Sequence, residues 1–504
     1  MKVQQHNVNK VVILGGGSAG WMAAAVLSRV FLMKECEITL IESESLGTVS
    51  VGEATIPQIK LFNRLLDIDE DEFVKRTSAT FKLGIEFANW KQKGHSYMHP
   101  FGSFGNEVDV IEFHQYWLKL RQSGMAPDLF AYSLNHMAAY QGRFMRPQPI
   151  KNSPLSDIQY AFHFDATKYA EFLREYAEKR SVTRIEGKVT EVATDESTGF
   201  VSSLLLDDGQ KIYGDLFIDC SGFKGLLIEE TLKTGFEDWS HWLPCDRAVA
   251  MQCAPKDAVN PYTKSTAQDA GWTWRIPLQH RIGNGYVYPS KFVSDDEALA
   301  TLKQNMESEP TTEPNFLRWK TGRRKKMWNK NVIAIGLSAG FIEPLESTGL
   351  HLIQTAISRL MSFFPSKSFN QVDIDYFNEK TKLEMEQVRD FIILHYKLTE
   401  REDTEFWRMC KHMDVPEKVK TKMALYASNG RIFREDNELF DETSWLAVMH
   451  GQGILPKAYH PMADLVPEPE LEQRMNNIQS VISASVKRMP TQKEFIERYC
   501  AAKT

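Results

Sequence analysis

The sequence has little that would take it to nucleic acid, into a membrane or into an oxidising compartment. Its 504 residues carry 60 Lys and Arg against 66 Asp and Glu, a net charge of −6. Nucleic-acid and anionic-membrane partners usually call for a basic surface, so neither is expected. No apolar run approaches the roughly 18 residues of a membrane span. The N-terminus, MKVQQHNVNK, is polar and runs straight into an apolar strand, unlike a signal peptide. The cysteines, Cys36, Cys220, Cys245, Cys253, Cys410 and Cys500, include no C-x-x-C pair, which argues against a zinc knuckle or other metal site. Free thiols in a cytoplasmic setting follow. Internal repeats and low-complexity tracts are also lacking.

What is present can bury a large core: 42% of the residues are apolar. Length suggests two or three domains. Val11 to Leu14, a glycine turn, helical Trp21 to Val30 and strand Glu37 to Ile41 give the order of a nucleotide-binding unit. Phe81, Leu83, Ile85 and Phe87 alternate with Lys82, Gly84, Glu86 and Ala88, as in a half-buried strand with Lys82 on its less apolar face. Residues 95–160, rich in His, Tyr, Phe, Pro and Gly, read as a mostly irregular insertion over a pocket. Asp165 to Lys179 reads as a helix. Gly187 to Val192 and Ser202 to Leu206 read as paired strands with Asp207-Asp208-Gly209 as their turn. Leu216 to Asp219 and Val332 to Ile335 are further buried strands, and Leu350 to Phe364 a helix. From Asp373 the pattern is mainly helical, with Leu471, Met475, Ile478 and Ile482 at helical spacing. The fold expected is α/β, with a core over 1–370 and a mainly helical region over 371–504.

Three segments and one lysine carry chemistry. Gly15-Gly16-Gly17-Ser18-Ala19-Gly20 fits G-x-G-x-x-G, whose glycines permit a tight turn, backbone approach to a pyrophosphate and close helix packing. Glu42 ends the next strand, 22 residues after Gly20, where an acid can bind ribose hydroxyls. The motif alone does not separate FAD from NAD; the late strand VIAIGLSAG favours FAD. Glu346-Ser347-Thr348-Gly349 precedes an apolar helix. Its start is either an ordinary Ser/Thr cap or a small-anion site. Glu346 beside it either faces a second cavity, where it would stabilise a developing cation, or is a surface or salt-bridged glutamate. Trp272, Trp274 and Ile276 share one face of a strand ending at Pro277, as a water-excluding wall or as core. Lys82 is the only cation on its strand, either a reactive amine or a paired one.

GGGSAGW, VGEATIP (Val51 to Pro57), FKLGIEF, FHFDA (Phe162 to Ala166), DLFIDCSGF (Asp215 to Phe223), GWTWRIP and GFIEPLESTG together resemble the flavin-dependent, tryptophan-halogenase-like halogenases. The resemblance spans most of residues 10–410, and W-x-W-x-I-P is its most specific part. It implies a flavin monooxygenase type of FAD-binding fold, with a substrate region toward the C-terminus. It also implies FADH₂ delivered by a separate NAD(P)H-dependent flavin reductase, O₂ and a halide, bromide or chloride, as cosubstrates, and a flavin C4a-hydroperoxide that yields hypohalous acid. Lys82 matches the lysine that presents the electrophile. Glu346 matches the carboxylate that stabilises the arenium ion. Thr348 and Gly349 match the halide position. Trp272 and Trp274 match the pair that keeps substrate from direct oxygenation. His99 and Phe101, in MHPFG, match positions that sandwich the aromatic ring. Cofactor contacts implied are Gly15, Gly16, Gly17, Ala19, Gly20, Glu42, Glu53, Val189, Leu337 and Leu350.

The chain departs from the tryptophan-specific pattern in Arg431 to Ile454, which holds no tyrosine pair. Glu442, Trp445 and His450 there line a pocket or pack a helix. Indole, or a larger indole-bearing or electron-rich aromatic, is therefore preferred over free L-tryptophan. A homodimer is left open. The competing readings are an FADH₂-dependent aromatic hydroxylase and an FAD-binding protein that is not catalytic or acts only on carrier-bound substrate.

Overall fold

The computed structural model describes residues 7–31, 36–43, 53–105, 111–256 and 259–502. Val51 and Gly52 of the VGEATIP motif lie outside them. Two compact units are each assembled from three segments. The first takes Met1–Ser78, Phe164–Asp246 and Arg318–Glu386; the second takes Ala79–His163, Arg247–Leu317 and Gln387–Thr504. The units thus interleave along the chain, and the last change of unit falls inside the helix Gln371–Lys397 rather than at its start near residue 370.

In the first unit, strands pair in the order Trp328–Asn329, Val332–Ala334, Leu216–Asp219, Lys10–Leu14, Glu37–Glu42 and Thr183–Glu186. All pairs are parallel except the first. Parallel sheets need both faces covered, which the continuous apolar run Val11 to Leu14 reflects. One cover is the alanine-rich helix Ser18–Val30, buried from Gly20 through Ser28, with helices Ala166–Glu178 and Gly349–Ser362 packed on it. The other is a three-stranded antiparallel sheet, Val189–Thr194, Val201–Leu206 and Lys211–Tyr213, whose Leu204 and Leu206 pack with Val12, Leu14 and Phe217. Asp207 to Gly209 turns from the second of these strands into the third, not from the first into the second as expected. Turn residues mark where the chain reverses and not which strand it next pairs with. Leu14 sits in register with both Ile41 and Asp219. The loops after these strands therefore meet at the carboxyl edge of the sheet, at its switch point, where ligands of such folds bind.

In the second unit a mixed sheet runs through Arg247–Cys253, Ile282–Tyr288, Trp272–Pro277, Thr263–Ala267, Gly84–Ala88 and Ser96–Pro100. Only Thr263–Ala267 with Gly84–Ala88 is parallel among these pairs. The strand expected over 81–87 is two pieces, Thr80–Lys82 and Gly84–Ala88, parted where the Leu83 N–H donates to the Pro261 carbonyl at 2.7 Å. Both pieces are buried throughout, so the alternation is one of residue type and not of exposure. The 95–160 segment is more regular than expected, with helices Phe113–Gln122 and Leu134–Tyr140. Phe113 through Leu120 are all buried, so the first helix has no wet face to print a helical period on its sequence. Beyond Gln387 helices dominate, as expected, and Leu471, Met475 and Ile482 are buried on Glu468–Arg488. The six cysteines are free. Among the described residues no helix is long and apolar enough to cross a membrane, and no group of three His, Cys, Asp or Glu could hold a metal.

Candidate active site

The first unit builds its site from backbone. Gly15 has φ +114°, its N–H donates to the Ile41 carbonyl at 2.8 Å, and a Cβ there would lie 2.2 Å from the Cys220 carbonyl oxygen. No side chain fits that turn. A Cβ at Gly20 would strike the Gly15 carbonyl at 1.8 Å, so the helix can approach the strand only through glycine. Gly17 occupies the cap position of Ser18–Val30 with no side-chain cap, and a Cβ there, or at Gly222, would meet nothing within 4 Å. A helix N-terminus with room for an anion fits a dinucleotide pyrophosphate.

Glu42 stands against Gly16, whose Cβ would fall 1.5 Å from its carboxylate. That carboxylate accepts from Trp21 Nε1 at 3.2 Å and from Arg184 Nε. Gly336, at φ +78°, brings the turn that carries Leu337 against Ala19: a Cβ there would lie 2.9 Å from the Ala19 Cβ. Buried Asp219 fixes the facing loop by accepting from the N–H groups of Ser221, Leu227 and Ile228. The structure thus gathers Gly15, Gly16, Gly17, Ala19, Gly20, Glu42 and Leu337 at one edge. Leu350 is buried on the helix packed beside Ser18–Val30. Val189 packs into the cluster of Val12, Leu14 and Ile41. Loss of solvation pushes the Glu53 carboxyl up to about 7.

The same unit holds the start of the helix Gly349–Ser362. Ser347 adopts φ +62°, and Thr348 takes the cap position. The expected Ser/Thr capping bond is not made: the Thr348 hydroxyl makes no cap hydrogen bond and is buried without any partner. Thr348 is 1% exposed, and a Cβ at Gly349 would meet nothing within 4 Å. An unsatisfied buried hydroxyl costs about 1–3 kcal/mol, which a bound anion would relieve. Glu343 and Glu346 beside it are fully buried, so Glu346 is not a surface residue.

The second unit builds its site from side chains. Lys82 is wholly buried, with Nζ 5.4 Å from the centre of the Phe101 ring, within cation–π range. Its strand is fixed by the neighbouring Thr80, which pairs with His163. Thr80 donates to the Pro277 carbonyl at 2.6 Å, so His163 Nδ1, 3.0 Å away, donates to Thr80, and His163 Nε2 accepts from Thr263 at 2.9 Å. Burial, with Lys82 nearby, holds His163 well below the usual histidine range. The lysine therefore has a neutral imidazole for a neighbour.

His99 lies 5.7 Å from the ring of Phe391, which stacks on Phe440 at 3.8 Å and meets Trp445 edge-on at 5.3 Å. Trp445, open between pocket and packing in the sequence, packs in this aromatic cluster at 3% exposure. Phe391, Phe440, Lys422 and Glu438 are not singled out by the sequence. Lys422 and Glu438 are both buried, pair at 2.7 Å, and the ammonium sits 4.6 Å over the Trp445 ring. Lys422 is one of three lysines in KVKTK, and its neighbours give no sign of which one is buried. Glu442 instead ties a loop, accepting from the Arg434 N–H. His450 lines a different cavity. Trp272 and Trp274 face one side of the strand Trp272–Pro277, 6.2 Å apart, at 2% and 7% exposure. The Trp274 indole lies across Gly285, where a Cβ would meet it at 2.0 Å.

A tryptophan halogenase family model matches residues 10–468. A tryptophan 6-halogenase of Streptomyces albogriseolus is 34% identical over 92% of this chain and 93% of its own. A tryptophan 7-halogenase of Lentzea aerocolonigenes is 33% identical over 92% of each. Among solved structures, a flavin-dependent halogenase from Xanthomonas campestris is 46% identical, with TM-score 0.95 over 99% of both chains. Another from Brevundimonas sp. BAL3 is also 46% identical, with TM-score 0.94 over 97% of this chain and 99% of that one.

Proposed function

Because the chain belongs to the tryptophan halogenase family of flavin-dependent oxidoreductases, we propose that it installs bromide or chloride on an electron-rich, indole-type aromatic. The observation that carries this is Lys82, a fully buried ammonium against the Phe101 ring. Reduced FAD, when bound, supplies with O₂ the two-electron oxidation of halide to hypohalous acid. A separate NAD(P)H-dependent flavin reductase delivers it.

The partnerless Thr348 hydroxyl and the backbone at Gly349 hold the halide. Lys82 presents the halogen, as hydrogen-bonded hypohalous acid or as a haloamine. The ring carbon bonds to the halogen as the halogen–oxygen or halogen–nitrogen bond breaks. Glu346 offsets the positive charge that develops on the ring and takes the displaced proton. Trp272 and Trp274 exclude water and keep the ring from direct oxygenation.

His99, Phe101 and Trp445, with Phe391 and Phe440, suit a flat ring. Glu438 is already held by Lys422, so it is not offered to a substrate ammonium. That favours indole-type molecules over the free amino acid. Bromide, the more easily oxidised ion, reacts ahead of chloride.

The test is product mass with indole, FAD, NADH and a generic reductase, in bromide, chloride or neither. The account expects a bromine isotope doublet, a weaker chlorine product and no product without halide. A gain of one oxygen that does not depend on halide would instead make the protein a hydroxylase.

A further inference from the structure

The second unit contains a cavity of about 530 Å³ whose lining includes none of His99, Phe391, Phe440 and Trp445. Its size suits a small organic ligand or part of one. Lys91, Arg121, Asp128, His95, His136 and His450 line it. The Nδ1 atoms of all three histidines are buried without a hydrogen-bond partner. His450 is 8% exposed, wedged edge-on against Trp117 at 5.0 Å. Such groups cost free energy unless a ligand meets them.

The charges favour an anion. Arg121 lies over Trp117, 5.1 Å from the ring centre, and takes no carboxylate partner in that contact. Lys91 has Glu400 at 3.5 Å, a residue outside the lining and half exposed. Asp128, the one carboxylate of the lining, faces His450 Nε2 at 3.8 Å. Burial lowers His95 and His136, so neither adds a positive charge to the lining.

Two elements carry residues of both the cavity and the aromatic cluster. On the strand Ser96–Pro100, Tyr97 lines the cavity and His99 belongs to the cluster, two residues and about 7 Å apart. On the helix Glu442–Gly451, Trp445 belongs to the cluster and His450 lines the cavity, five residues and about 7.5 Å apart. Gly451 lets that helix close on Tyr97, where a Cβ would meet the ring at 2.4 Å.

We propose that this cavity is a second substrate subsite, which takes an acidic group carried several bonds from the aromatic ring. It rests on the reading of the aromatic cluster as the place of the ring. The favoured substrate is then an indole bearing a carboxylate- or phosphate-ended chain, with bare indole a fragment of it.

The test is equilibrium binding to the intact protein without reductase or halide, so that turnover plays no part. The probes are indole-3-butyrate, its neutral alcohol 4-(indol-3-yl)butanol, and the phosphate ester of that alcohol. At least one acid binds wild type tenfold or more tighter than the alcohol, and the tighter acid identifies the source. Arg121→Gln and His136→Gln, each checked for an unchanged thermal midpoint, bring that advantage below threefold. Equal binding of acids and alcohol, or an advantage that survives both substitutions, overturns the proposal. Failure to halogenate indole would count against the cluster reading alone, because this binding is read without chemistry.

Discussion

Around Gly17 the first unit leaves room: a Cβ there meets nothing within 4 Å, and the same holds at Gly222 and Gly349. Around Lys82 the second unit fills its space with Phe101 and its neighbours and leaves the ammonium no exposure. One site is made by omitting side chains and aiming backbone N–H groups. The other is made by burying one cation against the Phe101 ring. The first suits a large anionic cofactor held by its phosphates. The second suits a flat apolar substrate and a reactive group kept from water. The difference predicts which changes each unit tolerates.

The largest effect is expected at Gly15. Gly15→Ala forces a side chain into positive φ and against the Cys220 carbonyl. Strain and overpacking together cost about 4 kcal/mol. Chemical denaturation should show that loss, and flavin titration should show FAD binding gone. Near-wild-type stability would mean that the backbone turn is not what shapes this site.

Acid and alkali should then tell the units apart. Burial lowers His136 in the second unit to about 4, so unfolded chains take up a proton near pH 6.5 that the folded chain refuses. Stability from this group is whole above pH 6.5 and falls as pH drops toward 4, by about 2–3 kcal/mol after allowance for partial exposure. Glu53 in the first unit has the opposite sign. Its carboxyl is raised to about 7 from an ordinary value near 4.5, so its contribution is present below 4.5 and is lost as pH rises to 7. Thermal midpoints across pH 4–8 should flatten on the acid side in His136→Gln and on the rising side in Glu53→Gln. Identical profiles for both variants would erase this contrast.

A glycine in the second unit serves a ring rather than a cofactor. Gly285→Ala places a methyl group in the Trp274 indole and should cost about 2 kcal/mol by overpacking. Its turnover should fall while FAD affinity holds; unchanged turnover would make the tryptophan wall a packing feature only. The smallest change is expected from Thr348→Val. It removes a hydroxyl that no protein group satisfies, so stability should hold or rise. The KM for halide should rise about tenfold, equivalent to about 1.4 kcal/mol. An unchanged halide KM would place the anion elsewhere.

The same contrast explains what could be read from the residues alone. Gly15 to Gly20 and Glu42 are legible because a backbone site needs local glycines at fixed spacing, followed by one acid at a strand end. Lys82, Trp272 and Trp274 stood out as unusual residues on strands, and their burial follows. Phe391, Phe440, Lys422 and Glu438 did not stand out, because each looks like ordinary helix or loop composition where it stands. They become a cluster only when segments far apart in the chain fold together. Thr348 is open in the sequence between a helix cap and an anion site, and its hydroxyl makes no capping bond. The Asp207-Asp208-Gly209 turn was seen correctly but attached to the wrong strand pair, since turn chemistry says where a chain reverses and not with which neighbour it pairs.

If cofactor binding and halogen delivery are separable functions of differently built sites, one substitution should abolish the second and spare the first. The most direct test is to measure FAD affinity and bromoindole formation on one variant, Lys82→Met. The expected result is a Kd for FAD within twofold of wild type and bromination lower by about a thousandfold or more. Bromination near the wild-type rate, or loss of flavin together with activity, would contradict it.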